Sequence, residues 1–285
     1  MSYSGKTLVY GIIGHPVTHS FSPAMQNAAF AETGLDAVYI PFPVTPDNVA
    51  EALKGLLALG ISGVNVTVPH KTAVIPFLDE ITDTAKKIGA VNTIRNDNGH
   101  LIGTNTDASG FLRSLKDLSF SPKNSTIALL GAGGATRAIL VALAESGAKT
   151  IWICNRTKQK AQQLVDSFAP LFPNTKILII SLEELQATPL DLLVNTTTVG
   201  MPALPSFPVD LHKCSEIKNI VDIIYTPAQT PLLEQAQKLK IPYLNGMGML
   251  LYQGGDAFEF WTQKTAPISV MEQHLTAFLQ QQLSH

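Results

Sequence analysis

The sequence predicts an α/β protein with two domains, and three observations carry that expectation. In the first hundred residues short apolar runs alternate with helical segments, the pattern of a mainly parallel sheet with helices on both faces. Further on, the apolar run that ends Leu129-Leu130 breaks into Gly131-Ala132-Gly133-Gly134-Ala135-Thr136. It continues as an alanine-rich amphipathic segment from Arg137 to Ser146, then as a second apolar run, Thr150-Ile151-Trp152-Ile153-Cys154. Strand, glycine turn, helix and strand in that order open a dinucleotide-binding βαβ unit. The tail from Met247 to Leu283 is helical apart from a break near Pro267 and holds no strand partners of its own, so it packs back on one domain.

The elements follow in order. Thr7 to Ile13 reads as a buried strand, leading into the glycine- and proline-punctuated loop Gly14 to Pro23. Ser22 is the expected N-cap of a helix with Pro23 at its first position, running to about Thr33 and ended by Gly34. Ala37 to Val44 is a second strand, and Thr45-Pro46 opens a helix through Leu59 that Gly60 stops. Gly63 to Val68 is the third strand, followed after Pro69-His70-Lys71-Thr72 by a helical stretch to about Ile88. Ala90 to Ile94 and Leu101 to Thr104 flank Asn96-Asp97-Asn98-Gly99, a hairpin signal. Thr106 to Leu118 is a connecting helix, and Ser119 to Ser125 a loop into the glycine-rich unit. Lys176 to Ile180, Asp191 to Asn195, Asn219 to Ile224 and Ile241 to Leu244 are further strands, with an amphipathic helix from Thr230 to Leu239.

Composition bounds the function. The 285 residues carry a net charge of −2, 45% hydrophobic and 15% charged side chains, enough core for two domains. Near-neutral charge gives no electrostatic reason to expect nucleic acid or an anionic membrane as partner. Cys154 and Cys214 form neither a disulfide framework nor a zinc spacing, and Cys154, at a strand end, reads as a small core residue. Met1 to Tyr10 holds no long apolar stretch of a signal peptide, and no run is apolar enough to span a bilayer, so the expected location is the cytoplasm.

Two stretches carry the cofactor chemistry. The glycines let the backbone turn tightly and approach a pyrophosphate, whose charge sits on free N–H groups at the helix N-terminus. Thr136 stands where a third glycine is usual. About 20 residues past the glycines an NAD site carries Asp or Glu for the ribose 2′-hydroxyl. Here the positions are Asn155-Arg156-Thr157-Lys158-Gln159-Lys160, without a carboxylate. One Arg, two Lys and short polar side chains suit the 2′-phosphate of NADP through charge-assisted bonds, and cations at a helix N-terminus, disfavoured by the dipole, ask for such an anion.

Over nearly its whole length the chain resembles the shikimate dehydrogenase family. The likeness rests on Gly14-His15-Pro16 through His19-Ser20-Phe21-Ser22-Pro23, Asn65-Val66-Thr67-Val68-Pro69-His70-Lys71, Gly89-Ala90-Val91-Asn92-Thr93 and Gly103-Thr104-Asn105-Thr106-Asp107. Gly131 to Ala135, Asn155-Arg156-Thr157, Asn195 to Met201, Asp222 to Pro227, and Asn245 to Leu250 with Gln253-Gly254 complete it in family order. The resemblance implies a substrate-binding domain of residues 1–106 and 246–285, to which the C-terminal helices return, and an NADP-binding Rossmann domain of residues 107–245, the two facing each other across a cleft. It implies reversible NADPH-dependent reduction of 3-dehydroshikimate to shikimate, a step on the chorismate route to aromatic amino acids.

By the same resemblance Ser20 and Ser22 bind the substrate carboxylate, and Thr67, Asn92 and Asp107, with Asn65 near them, fix ring hydroxyls. Amide, hydroxyl and carboxylate together donate and accept, as polyol recognition requires. From the residues alone Asn65, Asn92 and Asn105 read first as turn or strand-end caps, and only their match to the family motifs reverses that. Lys71 is the candidate acid–base group, with Asp107 within reach; an ammonium beside a carboxylate keeps its charge and orientation, and no metal is required. Tyr225 and Gln253 resemble substrate contacts, while Ile223, Gly246 and Asp83 match positions near the cofactor. Thr198 stands where serine is frequent and Lys160 where arginine is frequent; the first keeps the hydroxyl, the second the charge. His15, His19 and His70 read as loop histidines with structural hydrogen bonds. Two rival readings are a quinate/shikimate dehydrogenase using NAD and a ligand sensor of the same fold without turnover. Partners are a small-molecule substrate, no nucleic acid and no membrane, with the chain a monomer or homodimer.

Overall fold

The computed structural model describes residues 4–201 and 209–283. In chain order the first elements are β1 (Leu8–Gly14), α1 (Ser22–Glu32), β2 (Ala37–Pro43), α2 (Val49–Ala58), β3 (Gly63–Val66), β4 (Glu80–Ile81), α3 (Asp83–Ile88), β5 (Thr93–Asp97), β6 (His100–Thr104) and α4 (Asp107–Ser114). They continue as β7 (Thr126–Leu130), α5 (Gly134–Glu145), β8 (Thr150–Cys154), α6 (Lys158–Phe168), β9 (Lys176–Ile179), α7 (Leu182–Ala187), β10 (Leu192–Asn195), β11 (Ile220–Asp222), α8 (Pro231–Lys238) and β12 (Tyr243–Leu244). α9 (Met247–Thr262) and α10 (Ile268–Leu283) close the chain. Two compact units result, 1–110 with 250–285, and 111–249. Both chain crossings between them fall inside helices, α4 and α9. Residues 1–3, 202–208 and 284–285 of the expected domains lie outside the described residues.

The first unit is built on a six-stranded sheet in the order β2-β1-β3-β5-β6-β4. Its first three strands are parallel, as strand–helix alternation dictates, whereas β5 runs antiparallel to both neighbours because the tight Asn98-Gly99 turn folds it straight back onto β6. Both turn residues have positive φ, 53° and 94°, the backbone that Asn-Gly adopts with least strain. The reversal brings the start of β5 to the same sheet end as the ends of β3 and β6, where Asn65 faces Thr93 and Thr93 faces Thr104. One core lies under Val49, Leu53, Leu56, Val64, Val66, Ile94 and Leu101. Elsewhere Tyr10, Phe30, Tyr39, Phe258 and Trp261 stack against one another, and Trp261 Nε1 donates to Ile94 O at 2.9 Å.

Glycines set how closely the helices of this unit approach. A Cβ on Gly110 of α4 would lie 2.6 Å from the Gln253 backbone nitrogen of α9, and one on Gly254 would lie 2.3 Å from Met25 Cε of α1. The Gln26 amide donates to Gly254 O at 2.8 Å, fixing α9 against α1.

Two local expectations change, and one helix is new. The helical stretch after Thr72 is broken: a 3-10 turn at Ile75–Phe77 and the edge strand β4 precede the short α3. Pro76 lacks the N–H a continuing helix needs, and Asp79 instead accepts from Leu101 N at 2.7 Å, tying the segment to β6. Ser22 does not cap α1. Phe21 occupies the cap in αR conformation with no side-chain cap bond, and Ser22 and Pro23 are the first two helical residues. The α7 helix carries a capping box, Ser181 with Glu184, that periodicity over six residues does not reveal.

The second unit is a six-stranded sheet of order β12-β11-β10-β7-β8-β9, parallel throughout. Counting from β7 this is 3-2-1-4-5-6, the order of the Rossmann fold, whose switch point lies between β7 and β10 at their carboxyl ends. Thr230 caps α8 through its hydroxyl to Leu233 N. Cys154 packs against the core around Ala128, Leu130 and Leu193, and burial, with Glu183 nearby, pushes its thiol up. Among the described residues no helix is long and apolar enough to cross a membrane.

Candidate active site

The polar groups of the first unit gather at the sheet end where β3 and β6 finish and β5 begins. Lys71 sits in the turn after β3, its carbonyl accepting from Val91 N at 2.8 Å. Its Nζ lies 2.6 Å from Asp107 Oδ2, the lysine side chain 16% and the aspartate 5% exposed. Asp107 opens α4, where Asn105 Oδ1 accepts its backbone N–H at 3.0 Å, the turn role that the local reading expects of Asn105.

Asn92 holds the other carboxylate oxygen. Its Nδ2 donates to Asp107 Oδ1 at 2.9 Å and to Thr106 Oγ1 at 3.0 Å, and its Oδ1 accepts from Thr106 N at 2.8 Å. The Gln253 side chain, on α9, lies beside it, with Oε1 3.4 Å from Asn92 Nδ2. Thr106 Oγ1 donates to Gln253 O at 3.0 Å, which locks the helix to the site. Lys71, Asn92, Asp107 and Gln253, from four separate motifs, are thus brought together.

Asn65 is placed behind this cluster. Its Nδ2 donates to Thr93 Oγ1 at 3.0 Å and Asn92 O at 3.2 Å, and its Oδ1 accepts the Tyr39 hydroxyl at 2.7 Å. Both ends of its amide are engaged within the protein. Tyr39 is fully buried; burial holds its hydroxyl well above the ordinary phenol value, against a hydrogen bond from Ser22. Ser20 Oγ accepts from Ser22 N at 3.3 Å, so both serine side chains lie at the start of α1. A Cβ on Gly14 would lie 2.4 Å from Thr67 Cγ2, which is why that loop needs a glycine to seat Thr67. His70 Nε2 meets Val44 O at 2.7 Å, a structural contact, while His15 and His19 are exposed in their loop. Asp83 begins α3, fully exposed, 3.3 Å from Lys86.

Tyr39, Thr93 and Thr106 are absent from the expected site residues. For Tyr39 a signal exists: in β2 it alternates onto the buried face, and a buried tyrosine hydroxyl needs a partner.

In the second unit Gly131 adopts φ +118°, and a Cβ there would meet Thr196 Oγ1 at 2.6 Å. The next turn residue that matters, Gly133, is exposed with nothing within 4 Å of its would-be Cβ. The turn is therefore closed behind and open in front, over the first-turn N–H groups of a twelve-residue helix with no acid in that turn. Thr136 Oγ1 accepts from Gly133 N at 3.0 Å and meets Thr196 Oγ1 at 2.7 Å, so the threonine in the third-glycine position braces the turn. Arg156, Thr157, Lys158 and Lys160 are exposed after β8, and Asn155 Nδ2 donates to Thr157 O at 2.9 Å. An open backbone cradle with a cation-rich, carboxylate-free strand end fits the diphosphate and the 2′-phosphate of NADP.

After β11, buried Asp222 accepts from Asn195 Nδ2 at 3.0 Å, Ile224 N at 3.1 Å and the Thr230 hydroxyl at 2.7 Å, while burial raises its carboxyl. That cluster positions Ile223 and Tyr225, whose hydroxyl burial also raises. Gly246 has its own reason to be glycine, since a Cβ would lie 1.9 Å from Ile223 O. Thr198, exposed, lies within the loop that Asn195 and Thr197 organise.

Three family models match in succession: the shikimate dehydrogenase substrate binding domain over residues 12–94, shikimate / quinate 5-dehydrogenase over 114–237, and the shikimate 5'-dehydrogenase C-terminal domain over 246–276. The shikimate dehydrogenase (NADP(+)) of Geobacter metallireducens is 45% identical over 284 residues, covering 98% of this chain and 99% of that one. A crystal structure of a shikimate dehydrogenase in complex with NADP+ superposes with a TM-score of 0.90 at 40% identity, covering 98% of each chain. The Thermus thermophilus enzyme, crystallised with NADP(H) and shikimate, gives a TM-score of 0.86 at 35% identity over 95% of this chain and 99% of that one.

Proposed function

Because this chain belongs to the shikimate dehydrogenase family, we propose that it interconverts 3-dehydroshikimate and shikimate with NADP(H), with substrate on the first unit and dinucleotide on the second. The observation that carries the reading is the Lys71–Asp107 pair, 2.6 Å apart and largely buried beside Asn92 and Gln253. Ketone reduction needs a hydride on carbon and a proton on oxygen. Bound NADPH supplies the hydride; the proton falls to the chain. Lys71 keeps one N–H on Asp107, which orients it, and offers another to the substrate oxygen, taking that proton back in the reverse direction. Ser20 and Ser22 receive the substrate carboxylate, and Thr67, Asn92 and Asp107 bind ring hydroxyls, with Tyr225 and Gln253 as further contacts. Asn65, engaged at both ends, orients its neighbours. On the second unit Gly131, Ala132, Gly133, Gly134 and Ala135 hold the diphosphate, and Asn155, Arg156, Thr157, Lys158 and Lys160 the 2′-phosphate. Ile223 and Gly246 are assigned to the nicotinamide end, and Asp83 to the cofactor. Two free thiols accord with a cytoplasmic location.

A nicotinamide absorbance assay tests this. NADP+ with shikimate should give steady formation of NADPH, more efficiently than NAD+ with quinate. A higher kcat/KM for quinate with NAD+ would overturn the substrate and cofactor assignment, and binding without turnover would make the chain a sensor.

A further inference from the structure

Lys71 and Asp107 meet because three separate segments are fixed to one another: the turn after β3, the stretch between α3 and β5, and the loop between β6 and α4. The middle stretch, Ala90-Val91-Asn92, is the strut between the other two, and all three of its residues are buried. On one side Val91 N donates to Lys71 O at 2.8 Å. On the other, Asn92 N donates to Thr104 O at 3.1 Å, and Ala90 O accepts from Asn105 Nδ2 at 3.0 Å.

Asn105 is itself buried, and its partners fix which end of the amide is which. Ala90 O only accepts and the Asp107 N–H only donates, so Nδ2 faces the strut and Oδ1 faces Asp107. Shaping the turn requires only the second bond, which a serine hydroxyl also supplies. The first bond does something more, since it reaches 15 positions back along the chain.

Asp107 is therefore held at two ends. Lys71 and Asn92 hold its carboxylate, and their bonds must be shared when a substrate hydroxyl arrives. Asn105 holds its backbone, and that grip runs through backbone atoms alone, so it persists while the carboxylate changes partners.

The geometry points to Asn105 as a positioning residue for proton transfer: by pinning the Asp107 backbone to Ala90, it sets the carboxylate at bonding distance from Lys71, whose own carbonyl hangs on the next residue of the same strut. This rests on the reading of Lys71 and Asp107 as the proton-transfer pair. Asn105 touches no substrate. Without the bridge Asp107 is left to its remaining contacts, and a displacement of about 1 Å at a reacting group costs on the order of a hundredfold in rate.

The test is Asn105→Ser, whose hydroxyl can still accept the Asp107 N–H but is too short to bridge to Ala90 O as well. It is made in the otherwise native chain and in Asp107→Ala, and kcat per folded molecule is measured with the KM of shikimate and of NADP+. In the native chain kcat should fall about ten- to a hundredfold while both KM values stay within about twofold. In Asp107→Ala the same change should cost no further kcat, because the group it positions is gone. An unchanged kcat per folded molecule, or an equal loss in both backgrounds, would overturn the proposal and leave Asn105 a turn residue only. Wild-type kcat in Asp107→Ala alone would bring down the reading of the pair, and this proposal with it. If Asn105→Ser does not fold, amide hydrogen exchange of the wild type reads the same bond. The Asp107 N–H should exchange slowly and at equal rates with and without shikimate; fast exchange, or protection that arises only with shikimate, contradicts the proposal.

Discussion

The two units make their sites by opposite means. On the first, the proposed working groups are buried or half-buried side chains that satisfy one another: Lys71, Asp107, Asn92 and Gln253 are held by hydrogen bonds of 2.6 to 3.4 Å. On the second, the site is an open turn of backbone and a row of exposed cations, with Gly133 facing nothing within 4 Å. The contrast follows from the chemistry. A proton donor must be aimed before the substrate arrives, so its orientation is fixed by neighbours at the expense of buried polar groups. A phosphate needs only N–H groups and positive charge, which backbone and surface residues provide. Substitutions on the first unit should therefore disturb turnover and stability together, and those on the second should change affinity alone.

The largest effect short of removing the lysine is expected for Asp107→Ala. It orphans Lys71 and takes one acceptor from the buried Asn92 amide, a loss of about 1–3 kcal/mol in stability. Steady-state kinetics should show kcat lower by about a hundredfold or more, with the NADP+ KM nearly unchanged. An effect confined to the shikimate KM would reduce Asp107 to a binding group and blur the contrast.

Arg156→Ala combined with Lys158→Ala should raise the NADP+ KM about tenfold or more, since each side chain can supply a charge-assisted bond to the 2′-phosphate. The NAD+ KM and the melting temperature should hold, because both residues are exposed. An equal rise for NAD+ would show that these cations do not read the 2′-phosphate.

The smallest effect sits at Asp222, a buried carboxylate of the second unit satisfied by its neighbours as Asp107 is on the first. Burial, opposed by its hydrogen bonds from Thr230, Ile224 and Asn195, raises its carboxyl above the ordinary range. The associated stability is fully present below the ordinary carboxylate pKa of about 4 and is lost as pH rises through the raised folded value. Asp222→Asn, which keeps the shape without the charge, should remove that loss. Its melting temperature relative to the wild type should improve by a few degrees between about pH 4 and pH 7. A difference that stays flat with pH would show that ionisation of Asp222 does not weaken the fold.

Much of this architecture is legible in the residues, because its strongest signals are local. The glycine turn at Gly131, the Asn98-Gly99 hairpin and the stop at Gly60 each depend on a backbone conformation that few residues adopt, with φ of 118°, 53° and 94°, and 63°. Lys71 and Asp107, 36 positions apart, are marked by their motifs but joined only by the fold, through the antiparallel return of β5 and β6. What the sequence hides is non-local. The stretch from Thr72 to Ile88 has helical composition, yet Asp79 prefers the β6 backbone. Ser22 has the look of a cap, but the cap position falls one residue earlier and Ser22 itself is buried. Gly110 and Gly254 resemble helix breakers, and are in fact the places where α4, α9 and α1 come close enough to touch.

The central claim is that Lys71 moves the proton at the substrate oxygen. Single-turnover and steady-state measurements on Lys71→Ala, with both ligands titrated independently, test it most directly. The protein should fold, bind shikimate and NADP+, and lose about 10²–10⁴ in kcat. A variant that turns over at near wild-type kcat would contradict the claim and remove Lys71 from the chemistry.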